Sequence, residues 1–153
     1  MSTSLNLLNL DEAQRAPFAR IAAGLIRDKG INPREIFMNV LESNEAPEMN
    51  YWMTMVLVQE HFVSSQQEVA KDAAGEVVKP LQAACLLQNV GMVAALIELG
   101  GFKGSVTDRE FQLTARIASS HEDQAILGLL MKYAQDKEVL EPFMRALQGS
   151  TLQ

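Results

Sequence analysis

Apolar residues recur at three- and four-residue spacings along most of the chain, the period of a helix with one buried face. Phe18, Ile21, Ala22, Leu25 and Ile26 form the first such stripe, and Gly30 stands where a helix end takes a left-handed residue. Asp11 and Gln14 make a capping pair ahead of it. Pro17 lies too deep for a helix that begins at Glu12, so a break is expected near Ala16. Asn32-Pro33-Arg34-Glu35 is the sharpest start signal. Asn32 caps, Pro33 suits the first helical position, and Glu35 reaches back to the Asn32 amide. The helix it opens carries Ile36, Phe37, Val40 and Leu41 on its buried side, with Ile31 placed as a hydrophobic staple.

Pro47 opens the next helix. Tyr51, Trp52, Met55, Val56, Leu57, Val58 and Phe62 cover most of its circumference, which predicts a central helix. Residues 64–79 are polar and contain Gly75, and they read as an internal linker with a weak helix over 66–74. Pro80 to Leu87 and Val90 to Leu99 form a helix pair ended by Gly100-Gly101. Thr107-Asp108-Arg109-Glu110 is a capping box for a helix through Ser119. Ser120 with Asp123 gives another, for a helix with Ile126, Leu127, Leu129, Leu130 and Tyr133 inward. A last helix holds Val139 or Phe143, Met144 and Leu147, with Pro142 in its first turn. Strand-like alternation is absent. The expected fold is all-α, one helical domain over 1–153, with the C-terminal half stacked as antiparallel helix pairs.

Residues 80–101 resemble an ankyrin repeat, which opens with Thr-Pro-Leu-His, continues through two alanines and a Gly-His turn, and closes on valine and leucine pairs and Gly-Ala. Pro80-Leu81, Ala84-Cys85, Met92-Val93, Leu96-Ile97 and Gly100 fall on that pattern. Lys79, Gln82 and Gln88-Asn89 depart from its threonine, histidine and Gly-His positions. A weaker copy starts at Leu113, 33 residues after Pro80, and keeps Ile117-Ala118, Ala125-Ile126 and Leu129-Leu130. The resemblance covers 80–134 and implies stacked pairs that bury their faces on one another. Another α-solenoid or a plain helical bundle satisfies the same periodicity.

Charge narrows the partners. The 13 Lys and Arg residues are scattered and outnumbered by 19 acids, for a net charge of −6. That argues against nucleic acid and anionic membrane, which need a basic stripe. No apolar run approaches the roughly 20 residues of a membrane span, and residues 1–10 lack the basic start of a signal peptide. Leu5, Leu7, Leu8 and Leu10 are expected to cover an edge of the fold. Cys85 is the one cysteine, so no intramolecular disulfide forms. A soluble, cytoplasmic chain is expected; delivery into a host cell leaves no readable mark.

Chemistry is sparse. Cys85 has two histidines, His61 and His121, as potential bases, but no local signature joins them. Neither histidine has the neighbours that zinc requires. Glu45/Glu48 and Glu122/Asp123 sit at helix starts, where acids favour the helix dipole. Gly100-Gly101-Phe102-Lys103-Gly104 lacks phosphate-loop spacing and reads as a turn. No catalytic residue, metal or cofactor is assigned. Met49, Met53 and Met55 flank Trp52 on one helix and read as core filling.

The function expected is a non-enzymatic module that binds another protein. An ankyrin-like arrangement implies contact through the turn residues Phe102, Lys103, Val106, Asp108 and Arg109, extended by Gln112 and Arg116. Size and repeat character offer a bacterial effector, an immunity protein or an enzyme inhibitor as analogies. The alternative is a self-associating bundle, a homodimer through the Tyr51–Phe62 helix. A small helical enzyme ranks third.

Overall fold

Among the described residues, the computed structural model holds a 3-10 turn over Glu12–Gln14, a π-helical turn, seven α-helices and one short hairpin. Residues 7–99 and 109–136 are described, together with 141 and 144. Asp11 Oδ1 accepts from the Ala13 amide at 2.9 Å and starts the 3-10 turn, which gives way to α1 (Arg15–Ala23). Pro17 therefore falls in the first turn of α1, where its missing N–H breaks no helical bond. A π-helical turn, Gly24–Asp28, extends α1, and Gly30 follows at φ +68°. Ala22 is buried and Phe18, Leu25 and Ile26 are half-buried, but Ile21 is 51% exposed. The expected stripe is thus one residue too wide.

Asn32 and the prolines start their helices as read, but among the described residues Glu35 makes no bond back to the Asn32 amide. Asn32 Oδ1 accepts from the Arg34 amide at 2.9 Å and caps α2 (Pro33–Leu41). Pro47 takes the first position of α3 (Pro47–Gln59), whose residues from Asn50 to Leu57 are all buried. The Tyr51 and Trp52 rings meet edge to face at 4.7 Å. The face offered for self-association is therefore occupied within the chain.

The segment 64–79 holds no helix. Ala70–Lys71 (β1) pairs antiparallel with Val77–Val78 (β2), in the register Ala70↔Val78 and Lys71↔Val77. Asp72 Oδ1 accepts from the Ala74 and Glu76 amides, both at 2.9 Å, and Gly75 takes φ +84°. An aspartate that binds its own turn, followed by a glycine free to go left-handed, outcompetes helix here. Val69 and Val78 anchor the hairpin in the core, and Arg34 Nη1 donates to the Glu68 carbonyl at 2.7 Å.

Helix α4 (Pro80–Leu86) packs on α2, α5 (Val90–Glu98) and α6 (Arg109–Ser119). Helix α5 packs on α3, α4 and α7 (Ala125–Asp136). Small residues make the α4–α6 approach close: Ala84 and Cys85 on one side, Ala115 and Ala118 on the other, are all buried. Met92, Val93, Leu96 and Ile97 of α5 lie at the centre of the core. Full burial of such a side chain stabilises by about 1.5–3 kcal/mol. The start of α7 differs from the sequence expectation. Ser120 Oγ turns back to the Ile117 carbonyl at 2.7 Å, so Asp123 caps instead, accepting from the Ala125 amide at 2.9 Å.

The end segment covers an edge as expected. Leu7 is buried, while Leu8 and Leu10 pack half-buried on the core. Leu5, the Thr107-Asp108 cap and most of the last helix lie outside the described residues; Glu141 and Met144 are both helical. No described helix is long and apolar enough to cross a membrane.

Candidate functional site

The one cysteine is buried in the core. Cys85 Sγ lies 3.4 Å from the Thr114 carbonyl, its natural acceptor, and burial pushes the thiol up to about 12. A thiol held protonated is a poor nucleophile. His61 is exposed at φ +63° just past α3, and His121 lies in the α6–α7 turn. Among the described residues, no group of three or more His, Cys, Asp or Glu side chains is arranged to hold a metal ion.

Glu98, at the end of α5, is half-buried. Its Oε1 accepts from the Tyr51 hydroxyl at 2.7 Å and its Oε2 from the Leu7 amide at 2.9 Å. Lys132 Nζ donates to the Leu7 carbonyl at 3.2 Å and to Asn9 Oδ1 at 3.4 Å, so α3, α5, α7 and residues 7–9 meet at one knot. Burial raises the Glu98 pKa, and the bonds from Leu7 and Tyr51 with the Lys132 charge offset this only in part. Burial and the adjacent carboxylate also push the Tyr51 phenol up, which keeps it a donor.

The sign for stability follows. The folded chain holds the Glu98 proton more tightly than the unfolded chain does. Its contribution is complete below the unfolded carboxyl value and is lost as pH rises toward the folded value. Melting temperatures of the wild type and Glu98→Gln, measured from about pH 4 to about pH 7, should diverge in the variant's favour as pH rises. Parallel curves would remove Glu98 as a source of pH dependence.

The site with open polar chemistry lies where the α2–α3 turn meets the α4–α5 turn. Gln88, at φ +56°, reverses the chain between α4 and α5. Asn89 follows as the cap of α5: its Oδ1 accepts from the Met92 amide at 3.0 Å. The same side chain reaches across to α2. Its Nδ2 donates to the carbonyls of Val40 and Leu41 at 2.9 and 3.0 Å, satisfying the orphan Leu41 acceptor at a helix end and joining the Ser43 amide on Val40. Asn50 Nδ2, on α3, donates to Asn89 Oδ1 at 3.2 Å. One buried side chain thus closes the end of α2, opens α5 and holds α3.

Beside this knot is a cleft of about 180 Å³, lined by the 43–47 turn, Asn50 and residues 87–91. Asn50 Oδ1 is buried with no hydrogen-bond partner among the described residues. Leaving such an acceptor unpaired costs about 1–3 kcal/mol. Leu86 and Leu87 stand next to the cleft at 53% and 56% exposure. They are the adjacent pair among the exposed large apolar residues, the others described being Ile21, Val77 and Met144.

Of the residues expected to bind a partner, Phe102, Lys103, Val106 and Asp108 lie outside the described residues. Arg109 begins α6, Gln112 is half-buried and Arg116 is exposed on that helix. Tyr51 and Trp52 are buried and Met49 half-buried, so α3 offers no aromatic surface. Leu86, Leu87, Asn50 and Asn89 were not singled out as site residues from sequence. The available signal was the apolar run Cys85-Leu86-Leu87 at the end of a short helix, Pro80–Leu86 with Leu87 as its cap, too short to turn all three inward. No family model, curated protein or solved structure matches the chain.

Proposed function

We propose that this chain is a non-enzymatic protein-binding module built from three stacked helix pairs: α2/α3, α4/α5 and α6/α7. The layering supports the stack. Helix α4 touches α2 on one side and α6 on the other, while α5 touches α3 and α7. Each helix therefore meets its counterpart in the neighbouring pair, as repeat packing requires.

The observation that carries the binding role is the exposed Leu86–Leu87 pair beside a polar cleft. Interface cores combine apolar anchors with a polar surround. The segment with Phe102, Lys103, Val106, Asp108 and Arg109, followed by Gln112 and Arg116, is the second proposed contact. A protein is the fitting partner for a chain with net charge −6, since nucleic acid and anionic lipid would be repelled.

Affinity capture from lysate, with wild-type, Leu86→Ser/Leu87→Ser and Phe102→Ala/Arg109→Ala baits, tests this function. A saturable partner is expected, bound at least about tenfold more weakly by the leucine variant. Wild-type retention by both variants would move binding away from both turns. Recovery of the chain itself alone, with a dimer by light scattering, would replace the module with a self-associating bundle.

A further inference from the structure

We propose that the exposed Leu86–Leu87 pair docks a cationic amphipathic segment of a protein partner, one that sets lysine or arginine beside its apolar residues. This rests on the protein-binding role above and names the chemistry of the segment that fits. Leu86 is the last residue of α4 and Leu87 its cap, and both side chains are exposed. The α2–α3 turn, which forms the other side of the cleft, carries three exposed acids, Glu42, Glu45 and Glu48. Two observations put both turns on one edge of the fold. Leu87 and Glu45 line the same cleft, and Asn89 Nδ2 holds the Leu41 carbonyl at 3.0 Å, one residue before Glu42. None of the three acids makes an ion pair among the described residues. Residues 41–50 and 86–91 contain no Lys, Arg or His. The edge therefore joins two bare leucines to three uncompensated negative charges.

Local structure does not account for all of this charge. Glu48, in the first turn of α3, suits the positive end of that helix. Glu42 caps the opposite end of α2, where the helix dipole is negative and disfavours an acid. Each turn joins a helix C-terminus to a helix N-terminus, so the dipoles oppose one another and the carboxylates set the sign. A cationic amphipathic segment uses both features. Its apolar residues cover the leucines, and its ammonium or guanidinium groups meet the acids at the rim. An acidic segment would be repelled by the same three charges. A neutral apolar segment would cover the leucines but strip water from the acids without supplying a counter-charge. In an isologous dimer, a second copy of this chain would bring the same acids to the same edge.

A short amphipathic peptide of leucine and lysine is titrated into the full ¹⁵N-labelled chain, and amide resonances are followed. The controls are the same peptide with glutamate for lysine and with glutamine for lysine. Saturable shifts at residues 42–48 and 86–88 are expected with the lysine peptide, which should bind at least about tenfold more tightly than either control. Added salt should narrow that difference. Glu42→Gln/Glu45→Gln/Glu48→Gln should weaken the lysine peptide about tenfold, the combined effect of three exposed pairs. Leu86→Ser/Leu87→Ser should weaken it by at least as much. Asp28→Asn/Glu68→Gln/Glu122→Gln removes the same charge from exposed positions elsewhere and should cost no more than about twofold. Absence of saturable shifts overturns the proposal, as do equal affinity for the glutamine peptide or an equal loss in the remote variant. A dimer by light scattering that the leucine variant abolishes would also overturn it, by placing a second copy on the pair. The glutamate-to-glutamine variant at 42, 45 and 48, used as bait, separates this proposal from the module. If it keeps a captured partner that the leucine variant loses, the module stands and the cationic segment is refuted. Peptide binding as expected, with nothing captured, would keep the recognition chemistry while the module reading fails.

Discussion

Gly91→Ala is expected to destabilise the fold by more than about 3 kcal/mol, the upper range for overpacking. A Cβ at this position would lie 2.2 Å from the Pro47 carbonyl oxygen and 3.0 Å from both the Pro47 carbonyl carbon and the Tyr51 nitrogen. All three atoms are backbone, in the first turns of α3. No side chain can swing aside, so α5 must move off α3 or the α3 helix must distort. Either response opens the α3–α5 contact, next to Met92 and Tyr51, which are both buried. The result would invert the usual preference, since alanine in a helix interior is favoured over glycine by about 1 kcal/mol. Gly128 supplies the control. It lies in α7, is exposed, and a Cβ there meets nothing within 4 Å. Gly128→Ala should therefore stabilise by about 0.5–1 kcal/mol. Urea unfolding of the two variants separates the cases. A Gly91→Ala midpoint at or above that of the wild type would mean that α5 does not rest on α3 as described.

The helix starts were legible because each depends on a few adjacent residues. Asn32-Pro33, Pro47 and Pro80 open helices where the sequence placed them, and the nearly all-apolar run of α3 is the central helix. The misses have a common cause: their outcome depends on residues far away in the chain. A two-residue strand carries no alternation to read, and the hairpin is held by Val69 and Val78 in a core built from other elements. Ile21 has the right spacing for burial, but the helix packs through Phe18 and Ala22 and leaves it outside. Ser120 was a sound cap by type, yet its hydroxyl is already used by the end of α6.

The site was illegible for the same reason. In sequence, Gln88-Asn89 is only a departure from a Gly-His turn. In the fold, Gln88 accepts the left-handed backbone that glycine would take, at a cost of about 1–2 kcal/mol. Asn89 then gains four contacts, three of them to residues 39 to 49 positions away. No local motif encodes a side chain that reaches α2, α3 and α5 together.

That arrangement makes Asn89→Ala the second large effect, expected at about 2–4 kcal/mol. Removing the side chain strips the Leu41 carbonyl of its donor and the Met92 amide of its acceptor, while the Val40 carbonyl keeps the Ser43 amide at 3.1 Å. It also leaves Asn50 Nδ2 with only the long 3.5 Å contact to Ser43. A lost helix cap accounts for about 1 kcal/mol of this. The rest is the desolvation of buried groups left unpaired, and these share one site, so their separate costs do not add. Asn89→Ser divides the two parts. Serine restores a cap for α5 but is too short to span to α2, so it should recover about 1 kcal/mol of the loss. Full recovery by serine would reduce Asn89 to an ordinary cap. Partial recovery would establish that the turns around the cleft are held in place by a single side chain. The cleft would then be preorganised, since the same asparagine that fixes α5 against α2 also orients Asn50.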